Sequence, residues 1–405
     1  MYDVIVIGSG AAGMMAAITA SKNANRTLLL EKLPKLGTKL KATGGGRCNL
    51  TNTLGNDAFM SSFGRNGKFM MDALKEFDHQ ALIDFFLSIG VKTHAPDGHR
   101  VFPVTHDSLT ILDALESELR RQNVEVLCNQ KAEALETDEK TITGVTTQTQ
   151  SFQAKNVIVA TGGLGYPQLG AEGDGYHLVS SLHHKVTELY PAMMPLITKE
   201  HWVANCRADT IPKVEIRVDL KKAKKLHAKG DLIFTKNGIR GPVVLDFARE
   251  ITPLLSSYGE VPLLLNLTKG MNEDQILKHF KANSELPVLE IVKKLLPEVL
   301  SVEICNLADA SPSKKFKELE GITRDKLVKT LAWTPLTVTG HDGFKMAMIT
   351  RGGISLKEID AKTMQSKLVT GLYFCGEVMD LDGPCGGYNL QWSFASGHLA
   401  GKLKI

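Results

Sequence analysis

The first thirty-one residues constrain the fold of this chain more than any other stretch. An apolar run from Tyr2 to Ile7 leads into the turn Gly8-Ser9-Gly10-Ala11-Ala12-Gly13, then into a segment of small residues, and then into the apolar run 27–30, which ends at Glu31. This order predicts a strand, a glycine turn, a helix, a second strand and an acidic end. It is the layout that holds the ADP half of a dinucleotide.

Each part of this layout has a physical role. Gly8 permits the tight turn, Gly10 lacks the Cβ that would block a pyrophosphate, and Gly13 lets the helix pack close to the strands. The pyrophosphate would lie at the free N–H groups of a helix that opens near Ala11. Glu31 can accept hydrogen bonds from both ribose hydroxyls and would repel a 2′-phosphate. A bare glycine turn with no ligand is the alternative, and the strand before it and the acid after it argue against that alternative.

Length and composition limit the class of protein. A chain of 405 residues predicts two or three domains, 43% hydrophobic residues indicates a globular enzyme, and a net charge of +4 does not require a nucleic-acid partner. The six cysteines show no CxxC spacing, so we expect reduced thiols, no metal site and a cytoplasmic protein. We expect no signal peptide and no membrane partner, because the sequence contains neither a basic leader nor an apolar run of about eighteen residues.

A second glycine-rich segment follows at 43–52, Thr-Gly-Gly-Gly-Arg-Cys-Asn-Leu-Thr-Asn. Three consecutive glycines predict a loop rich in backbone N–H donors, with Arg47 as a fixed positive charge. Such a loop suits a phosphate or the polar edge of an isoalloxazine ring. A flexible surface loop is the alternative.

The end of the chain repeats the pattern of its beginning. A buried strand over 368–375 is predicted to run into Gly376 and Glu377, and Gly386-Gly387 leads to a helix over 393–403. A carboxylate just past a strand, followed by glycines that open a helix, would place a helix dipole near the flavin edge that becomes anionic on reduction. Two such units favour FAD over NAD, because NAD would need only the first.

Between the two ends, the pattern predicts helices over 67–90, 107–121 and 175–184, and a buried strand over 155–160 that ends in Thr161-Gly162-Gly163. Residues 191–268 are strand-rich, with strands expected over 214–220, 231–235 and 261–267 and a short helix over 243–249. Residues 272–331 are helical and rich in lysine, with breaks at prolines.

Taken together, these blocks resemble a known family. The combination of GSGAAG, TGGGRCNLTN, ATGG-x-x-YP-x-x-G, FT-x-x-G-x-x-GPVVLD and GLYFCGEVMDLDG-x-x-GGYNLQWSFASG is similar to the YhiN/BaiN-like (aminoacetone oxidase-like) bacterial flavoproteins, which are NAD(P)/FAD-dependent oxidoreductases. The resemblance runs essentially from end to end.

The resemblance implies an α/β fold with three domains. A glutathione-reductase-type FAD-binding Rossmann domain would comprise 1–190 and 345–405. A β-barrel-like substrate domain would comprise 191–270 and 332–344, with a small helical domain at 271–331. The resemblance also implies a set of FAD-binding residues: Gly8, Gly10, Ala11, Ala12, Gly13, Glu31, Lys32, Lys39, Gly45, Gly46, Arg47, Asn49, Ala132, Thr161, Gly162, Gly376, Glu377, Asp380, Gly387, Tyr388, Asn389 and Leu390.

The sequence departs from the family pattern at positions that could contact a substrate. Gly165 replaces a family-typical serine, and Lys236 and Arg240 stand where a histidine and a serine are usual. The resemblance therefore leaves the substrate open.

The function expected from these residues is a flavin-dependent oxidoreductase that transfers a hydride between flavin N5 and a small organic substrate. The candidates for contact with that substrate are Tyr166, Arg351 and Tyr388, each of which could instead hold a loop. Only one dinucleotide fingerprint is present, so either NAD(P)H binds transiently or the substrate reduces the flavin and oxygen reoxidises it. A flavin without turnover is a further alternative.

A second hypothesis is a nucleic-acid-associated or RNA-modifying flavoprotein that uses the lysine-rich helical segment. Acidic residues are interspersed there, so a solvated helical face is the alternative. The basic residues are Lys278, Lys281, Lys293, Lys294, Lys314, Lys315, Lys317, Arg324, Lys326 and Lys329. The sequence does not indicate an oligomeric state.

Overall fold

The computed structural model describes residues 1–23 and 25–403, and the chain divides into two compact units. The first unit comprises Met1–Pro191 together with Met348–Ile405, and the second comprises Ala192–Ala347. Both ends of the chain therefore belong to one unit. Within the described residues, none of the helices has both the length and the apolar character needed to cross a membrane.

The first unit contains the chain up to Pro191 and the last part of the chain. Its strands are β1 (Tyr2–Ile7), β2 (Thr27–Leu30), β3 (Thr51–Asn52), β4 (Thr93–His94), β5 (Arg100–Pro103), β6 (Glu125–Leu127), β7 (Ala132–Asp138), β8 (Thr141–Thr147), β9 (Ser151–Val159), β10 (Tyr190–Ala192, which ends one residue past the boundary), β17 (Ile349–Arg351) and β18 (Leu372–Phe374). Its helices are α1 (Ala11–Lys22), α2 (Thr38–Ala42), α3 (Asn56–Ser61), α4 (Met71–Glu76), α5 (His79–Ser88), α6 (Ser108–Arg121), α7 (Asp174–Ser180) and α13 (Tyr388–Gly401).

A seven-stranded sheet forms the centre of this unit. Its order is β6-β2-β1-β9-β8-β7, and β18 pairs with β9. Strand β1 runs parallel to β2 on one side, with Ile5 opposite Leu28, and parallel to β9 on the other, with Ile5 opposite Val157. Strands β1 and β2 are almost wholly buried, which is expected for a parallel sheet covered on both faces. The predicted Rossmann-type arrangement at the N-terminus is confirmed.

The second unit is built around a closed antiparallel barrel in the order β11-β14-β13-β12-β15-β16. The strands are β11 (Leu196–Thr198), β12 (Thr210–Val218), β13 (His227–Phe234), β14 (Gly238–Arg240), β15 (Val261–Asn266) and β16 (Thr334–His341). The helices are α8 (Pro242–Tyr258), α9 (Glu273–Ala282), α10 (Val288–Lys293), α11 (Glu298–Leu307) and α12 (Gly321–Ala332). Side chains from the barrel and from these helices form one continuous apolar core.

The structure differs from the sequence expectation at several element ends. Strand β18 is only three residues long, because Gly371 turns the chain with a φ of 78°. Helix α13 begins at Tyr388, directly after Gly387, five residues earlier than expected. Helix α8 continues to Tyr258, because its apolar spacing runs on through Pro253, and α7 ends at Ser180.

Candidate functional site

The three glycines of the opening turn differ in how much space surrounds them. The distance from an ideal Cβ at each glycine to its nearest neighbouring atom measures this space. At Gly8, whose φ is 100°, a Cβ would lie 2.7 Å from the Ala160 carbonyl oxygen, and at Gly13 it would lie 1.8 Å from the Gly8 carbonyl oxygen. At Gly10 no atom of the described residues lies within 4 Å of that position. Gly8 and Gly13 are therefore required by the packing of the protein itself, whereas Gly10 leaves open space at the N-terminus of α1.

Glu31 is held against this turn. One of its carboxylate oxygens accepts hydrogen bonds from the Ser9 N–H at 3.0 Å and from the Ser9 hydroxyl, and the other accepts from the Leu33 N–H at 2.8 Å. The Ser9 hydroxyl and carbonyl also face the Gly37 N–H. The carboxylate therefore has a fixed orientation, with lone pairs left for further donors.

The second glycine segment forms a turn with three consecutive positive φ angles, 59° at Gly44, 65° at Gly45 and 87° at Gly46. Within the part of the chain that the structure describes, no atom lies within 4 Å of a Cβ on Gly45 or Gly46, so this turn presents bare backbone to open space. The guanidinium of Arg47 is exposed and lies 5.8 Å from the centre of the Phe102 ring. The adjacent Cys48 is buried, which raises the pKa of its thiol to about 12 and leaves it protonated and unreactive.

The C-terminal glycines join this turn to the last helix. A Cβ on Gly387 would lie 2.4 Å from the Thr51 backbone, and a Cβ on Gly376 would lie 2.8 Å from the Ala12 Cβ. The Asn49 amide is oriented so that both its oxygen and its nitrogen form hydrogen bonds. The oxygen accepts from the Gly387 N–H at 3.1 Å, and the nitrogen donates to the Thr51 carbonyl at 3.0 Å. The N-terminus of α13, the opening turn and the second glycine segment thus belong to one packed assembly.

An ion pair joins residues that are far apart in the chain. The Lys39 ammonium lies 2.8 Å from the Glu377 carboxylate, whose other oxygen accepts from the Thr350 N–H at 2.9 Å. The Thr350 hydroxyl in turn accepts from the Leu164 N–H at 2.7 Å. Glu377 is thereby fixed between helix α2 and strand β17, and Thr350 connects it to the loop after β9.

A second network surrounds Lys32. Its ammonium contacts the carboxylates of Glu172, at 2.6 Å, and Asp174, and Asp174 also lies 3.2 Å from the Lys131 ammonium. Burial alone would raise the pKa of Asp174, but Lys32 and Lys131 outweigh it and lower that pKa. Since Lys131 immediately precedes β7, the network ties the loop after β2 to the start of β7 at Ala132.

The three candidates for substrate contact differ in environment. The Tyr388 ring is buried and packs against Phe59 at 5.0 Å and Phe63 at 6.1 Å between centroids. Tyr166 is half-buried with a φ of 59°, and burial raises the pKa of its phenol. Arg351 ends β17, and its charge lowers the pKa of Asp380, although burial has the larger effect and raises it.

The remaining predicted cofactor residues lie on the same elements. Ala11 and Ala12 are buried in the first turn of α1, and Thr161 and Gly162 lie in the loop that begins at Ala160 after β9. The Asn389 side chain closes the preceding loop through the Gly383 N–H, at 2.8 Å, and the Gly383 carbonyl, at 2.9 Å, while Leu390 packs on the core. All the predicted FAD-binding positions therefore fall in the first unit, and Lys32 and Asn49 have protein partners there.

Three residues that the sequence reasoning did not select belong to this region. Ser9 binds Glu31 and Thr350 positions Glu377, as described above. The Tyr176 hydroxyl is buried with no hydrogen-bond partner in the described part of the chain, and burial, followed by the charges of Glu377 and Asp380, raises the pKa of Tyr176. Only Ser9 had a sequence signal, its place inside the glycine turn.

These features fit FAD. The space at Gly10 opens at the N-terminus of the twelve-residue helix α1, which favours an anionic pyrophosphate, and Glu31 offers a fixed acceptor for ribose hydroxyls. The bare backbone at Gly45 and Gly46 and the N-terminus of α13 could supply a second set of donors. The described residues contain no group of three or more His, Cys, Asp or Glu side chains that could hold a metal.

Comparison with known proteins confirms the family resemblance. The family described as HI0933-like protein Rossmann domain matches residues 2–403. The chain is 31% identical to the 3-dehydro-bile acid delta(4,6)-reductase of Clostridium scindens, over 99% of this chain and 98% of that one. It is 29% identical to the ribosomal RNA dihydrouridine synthase of Haemophilus influenzae, over 97% of this chain and 96% of that one.

Solved structures show the same fold. The 3-ketosteroid delta1-dehydrogenase of Sterolibacterium denitrificans, determined with 1,4-androstadiene-3,17-dione, superposes with a TM-score of 0.56 at 14% identity, over 99% of this chain and 98% of that one. At this identity the likeness concerns the fold alone.

Proposed function

The chain belongs to the HI0933-like Rossmann family, and we propose that it reduces a carbon–carbon double bond conjugated to a carbonyl group, with NADH or NADPH as the source of electrons. It is an FAD-dependent oxidoreductase.

The observation that carries the proposal is the reaction type shared by the full-length relatives. A 3-dehydro bile acid with 4,6 double bonds has them in conjugation with its 3-oxo group, and the uracil C5=C6 bond is conjugated to the C4 carbonyl. In both reductions a hydride is added to the carbon farther from the carbonyl and a proton to the nearer carbon. Bound FAD supplies hydride transfer, and the two electrons come from the nicotinamide.

The chain's own residues would bind and orient the cofactor. The α1 N-terminus at Gly10 would bind the pyrophosphate, and Glu31, already oriented by Ser9, would accept from the ribose hydroxyls. Glu377 is fixed by Lys39 and Thr350, and it would hold the C-terminal segment that begins at Gly376 in place beside the cofactor. These residues bind and position, and none of them needs to change protonation state.

The proton for the nearer carbon needs a donor that is protonated at neutral pH. Among the three candidates, Tyr166 suits this role best, because it carries a phenol, which is protonated at neutral pH, and its side chain is only half-buried. The Tyr388 ring is packed among phenylalanines and suits support of the α13 N-terminus. Arg351 suits orientation of a substrate carbonyl rather than proton transfer, because a guanidinium does not release its proton.

For the molecule that carries the double bond, we favour uridine in ribosomal RNA. The second unit contains 24 lysines and arginines against 19 aspartates and glutamates, whereas the first contains 24 against 25. An excess of positive charge confined to one unit favours a polyanion over a single small anion. A steroid-like enone is the second candidate, and the relative from Clostridium scindens favours it.

The helical segment 271–331 contributes less to this charge than its sequence suggests. Its lysines are partly neutralised by neighbouring acids: Lys293 by Glu290 and Glu298, Lys315 and Lys317 by Glu285, and Lys326 by Asp309. A site for RNA would therefore need charges elsewhere in the unit.

Anaerobic turnover tests the proposal. The FAD-loaded protein is mixed with NADH or NADPH while flavin absorbance is followed, and then receives either in vitro transcribed ribosomal RNA or a 3-oxo-4-ene steroid. We expect rapid bleaching by one nucleotide, and dihydrouridine in nuclease digests of the RNA by mass spectrometry. A reduced steroid with unchanged RNA would select the second candidate, and no product from either would contradict the proposal.

A further inference from the structure

The connection between strands β12 and β13 carries the densest positive charge of the second unit. Residues 219–226 read Asp-Leu-Lys-Lys-Ala-Lys-Lys-Leu, so four lysines occur within five residues. We call Lys221, Lys222, Lys224 and Lys225 the lysine loop. All four side chains are exposed.

The backbone of the lysine loop is held in place by the barrel. The Ala223 N–H donates to the Leu220 carbonyl at 2.8 Å, and the Leu226 N–H donates to the Ala223 carbonyl at 2.9 Å. Ala223 is buried in the barrel core, and Leu220 and Leu226 pack against that core. The apolar residues therefore point inward, and the lysines between them are presented to solvent from a structured turn.

These lysines lack the neutralising partners found elsewhere in the unit. Within residues 1–23 and 25–403, none of the four ammonium groups forms an ion pair or a hydrogen bond with another side chain. Asp219 is the one acid inside the connection, and Lys229, just beyond it, is paired with Glu215 at 2.7 Å. Four unpaired like charges repel one another, so a polyanion would relieve a repulsion that exists in the free protein.

The chemistry of the loop fits a phosphate backbone. A lysine ammonium is a point charge on a flexible stem, and it contacts phosphates without selecting a base sequence. We propose that the lysine loop is the surface that binds the phosphate backbone of the RNA substrate. This inference rests on the proposed function, and it assigns RNA binding to a barrel connection rather than to the lysine-rich helices.

Salt-dependent RNA binding by the full-length, FAD-loaded protein tests the inference. The loop variant replaces all four lysines by glutamine, and the matched control replaces Lys293, Lys315, Lys317 and Lys326 by glutamine, which removes the same charge from paired positions. Fluorescence anisotropy with poly(U) and with in vitro transcribed ribosomal RNA gives the slope of log affinity against log salt concentration. Thermal melting and FAD content should match those of the wild-type protein.

We expect the loop variant to have a slope shallower by about three, because each lost phosphate contact on a single strand removes roughly 0.7. The control should keep the wild-type slope. The double variants Lys221→Gln/Lys222→Gln and Lys224→Gln/Lys225→Gln should each lose about half of the effect. Equal slopes for wild type, loop variant and control would overturn the inference, as would a larger loss in the control.

Two further readouts separate the possible failures. If the loop variant loses binding only to phosphatidylserine vesicles, the loop binds a membrane surface and the inference is wrong. If the wild-type protein forms dihydrouridine while the loop variant keeps its RNA slope, the docking inference fails and the proposed function stands. If RNA binding depends on the loop but no dihydrouridine forms, the proposed function fails and the RNA surface stands.

Discussion

At the scale of single residues, the glycines of the opening turn divide into two kinds that the sequence motif does not distinguish. Gly8 and Gly13 leave no room for a Cβ because backbone atoms of the protein lie in the way. Gly10 has room that none of the described residues fills. The first kind serves folding, and we propose that the second serves the cofactor.

The Tyr166 hydroxyl is expected to act in double-bond reduction and not in flavin reduction. Tyr166→Phe removes only the hydroxyl, so flavin reduction by the nicotinamide should keep its wild-type rate while double-bond reduction slows by roughly 10² to 10⁴. Stopped-flow measurement of the two half-reactions checks this separation. Tyr258→Phe is the matched control and should leave both rates within a few-fold of wild type, because this tyrosine is exposed at the end of α8 and is not among the predicted site residues. Equal slowing of both half-reactions by Tyr166→Phe would argue for a structural role.

His398 gives a prediction about pH. Its ring stacks on Phe77 at 4.5 Å and its Nδ1 lies 3.3 Å from the Thr19 hydroxyl. Burial, assisted by Lys402 and Lys22 and opposed by Glu76, lowers the pKa of His398 to about 4. The unfolded chain, with an ordinary histidine pKa near 6.5, binds this proton first.

The free energy of unfolding should therefore fall as the pH drops from about 6.5 to about 4, by up to about 1.4 kcal/mol per pH unit from this group. Urea denaturation of the wild-type protein and of His398→Gln at several pH values measures the difference. The variant should lose this part of the pH dependence. An identical pH profile for both proteins would show that His398 is not the group responsible.

Sequence reasoning identified the residues of the glycine blocks but not their partners. That Asn49 meets Gly387, or that Thr350 fixes Glu377, depends on contacts between segments some 27 to 338 residues apart, and no local pattern encodes them. Likewise, Lys32 is a predicted cofactor residue whose ammonium is bound to Glu172 and Asp174. Composition could suggest a basic helical segment, but only side-chain positions show that its lysines are paired.

At the scale of elements, helices α1 and α13 bring the two ends of the chain together. A Cβ on Gly397 would lie 2.3 Å from the Ala12 carbonyl oxygen, and a Cβ on Gly401 would lie 2.5 Å from the Ala16 carbonyl oxygen. These glycines let one helix approach the backbone of the other. The sequence predicted both helices from their small residues, and it missed the start of α13 because Tyr388-Asn389-Leu390 reads as part of a loop.

Gly397→Ala tests this close approach. The added methyl group meets a backbone atom that cannot move aside, so we expect a loss of about 1 to 3 kcal/mol in the free energy of unfolding, although alanine favours helix formation. Gly340→Ala is the control, because none of the described residues has an atom within 4 Å of its Cβ position. Chemical denaturation compares the two variants. A stability of Gly397→Ala equal to wild type would contradict the packing described here.

At the scale of the whole molecule, the chain combines a unit that contains both termini with a unit that contains the barrel and all of the excess positive charge. The α/β class and the barrel were predictable, because buried parallel strands and short alternating strands leave clear patterns. The division into three domains, with 271–331 as a separate domain, stays a prediction. The apolar side chains of that segment join the same core as the barrel.

The central claim is that the opening turn and the C-terminal glycines together hold one FAD, and Gly10→Ala tests it most directly. Gly10 has a φ of −70° and a ψ of −176°, which alanine adopts freely, and the Cβ of an alanine there would touch no atom in residues 1–23 and 25–403. The apoprotein variant should therefore melt at the wild-type temperature.

Titration of the two apoproteins with FAD, followed by fluorescence, is the measurement. We expect the affinity of the Gly10→Ala variant to fall by at least about tenfold, since the methyl group would occupy the place of the pyrophosphate. An unchanged affinity for FAD would contradict the claim.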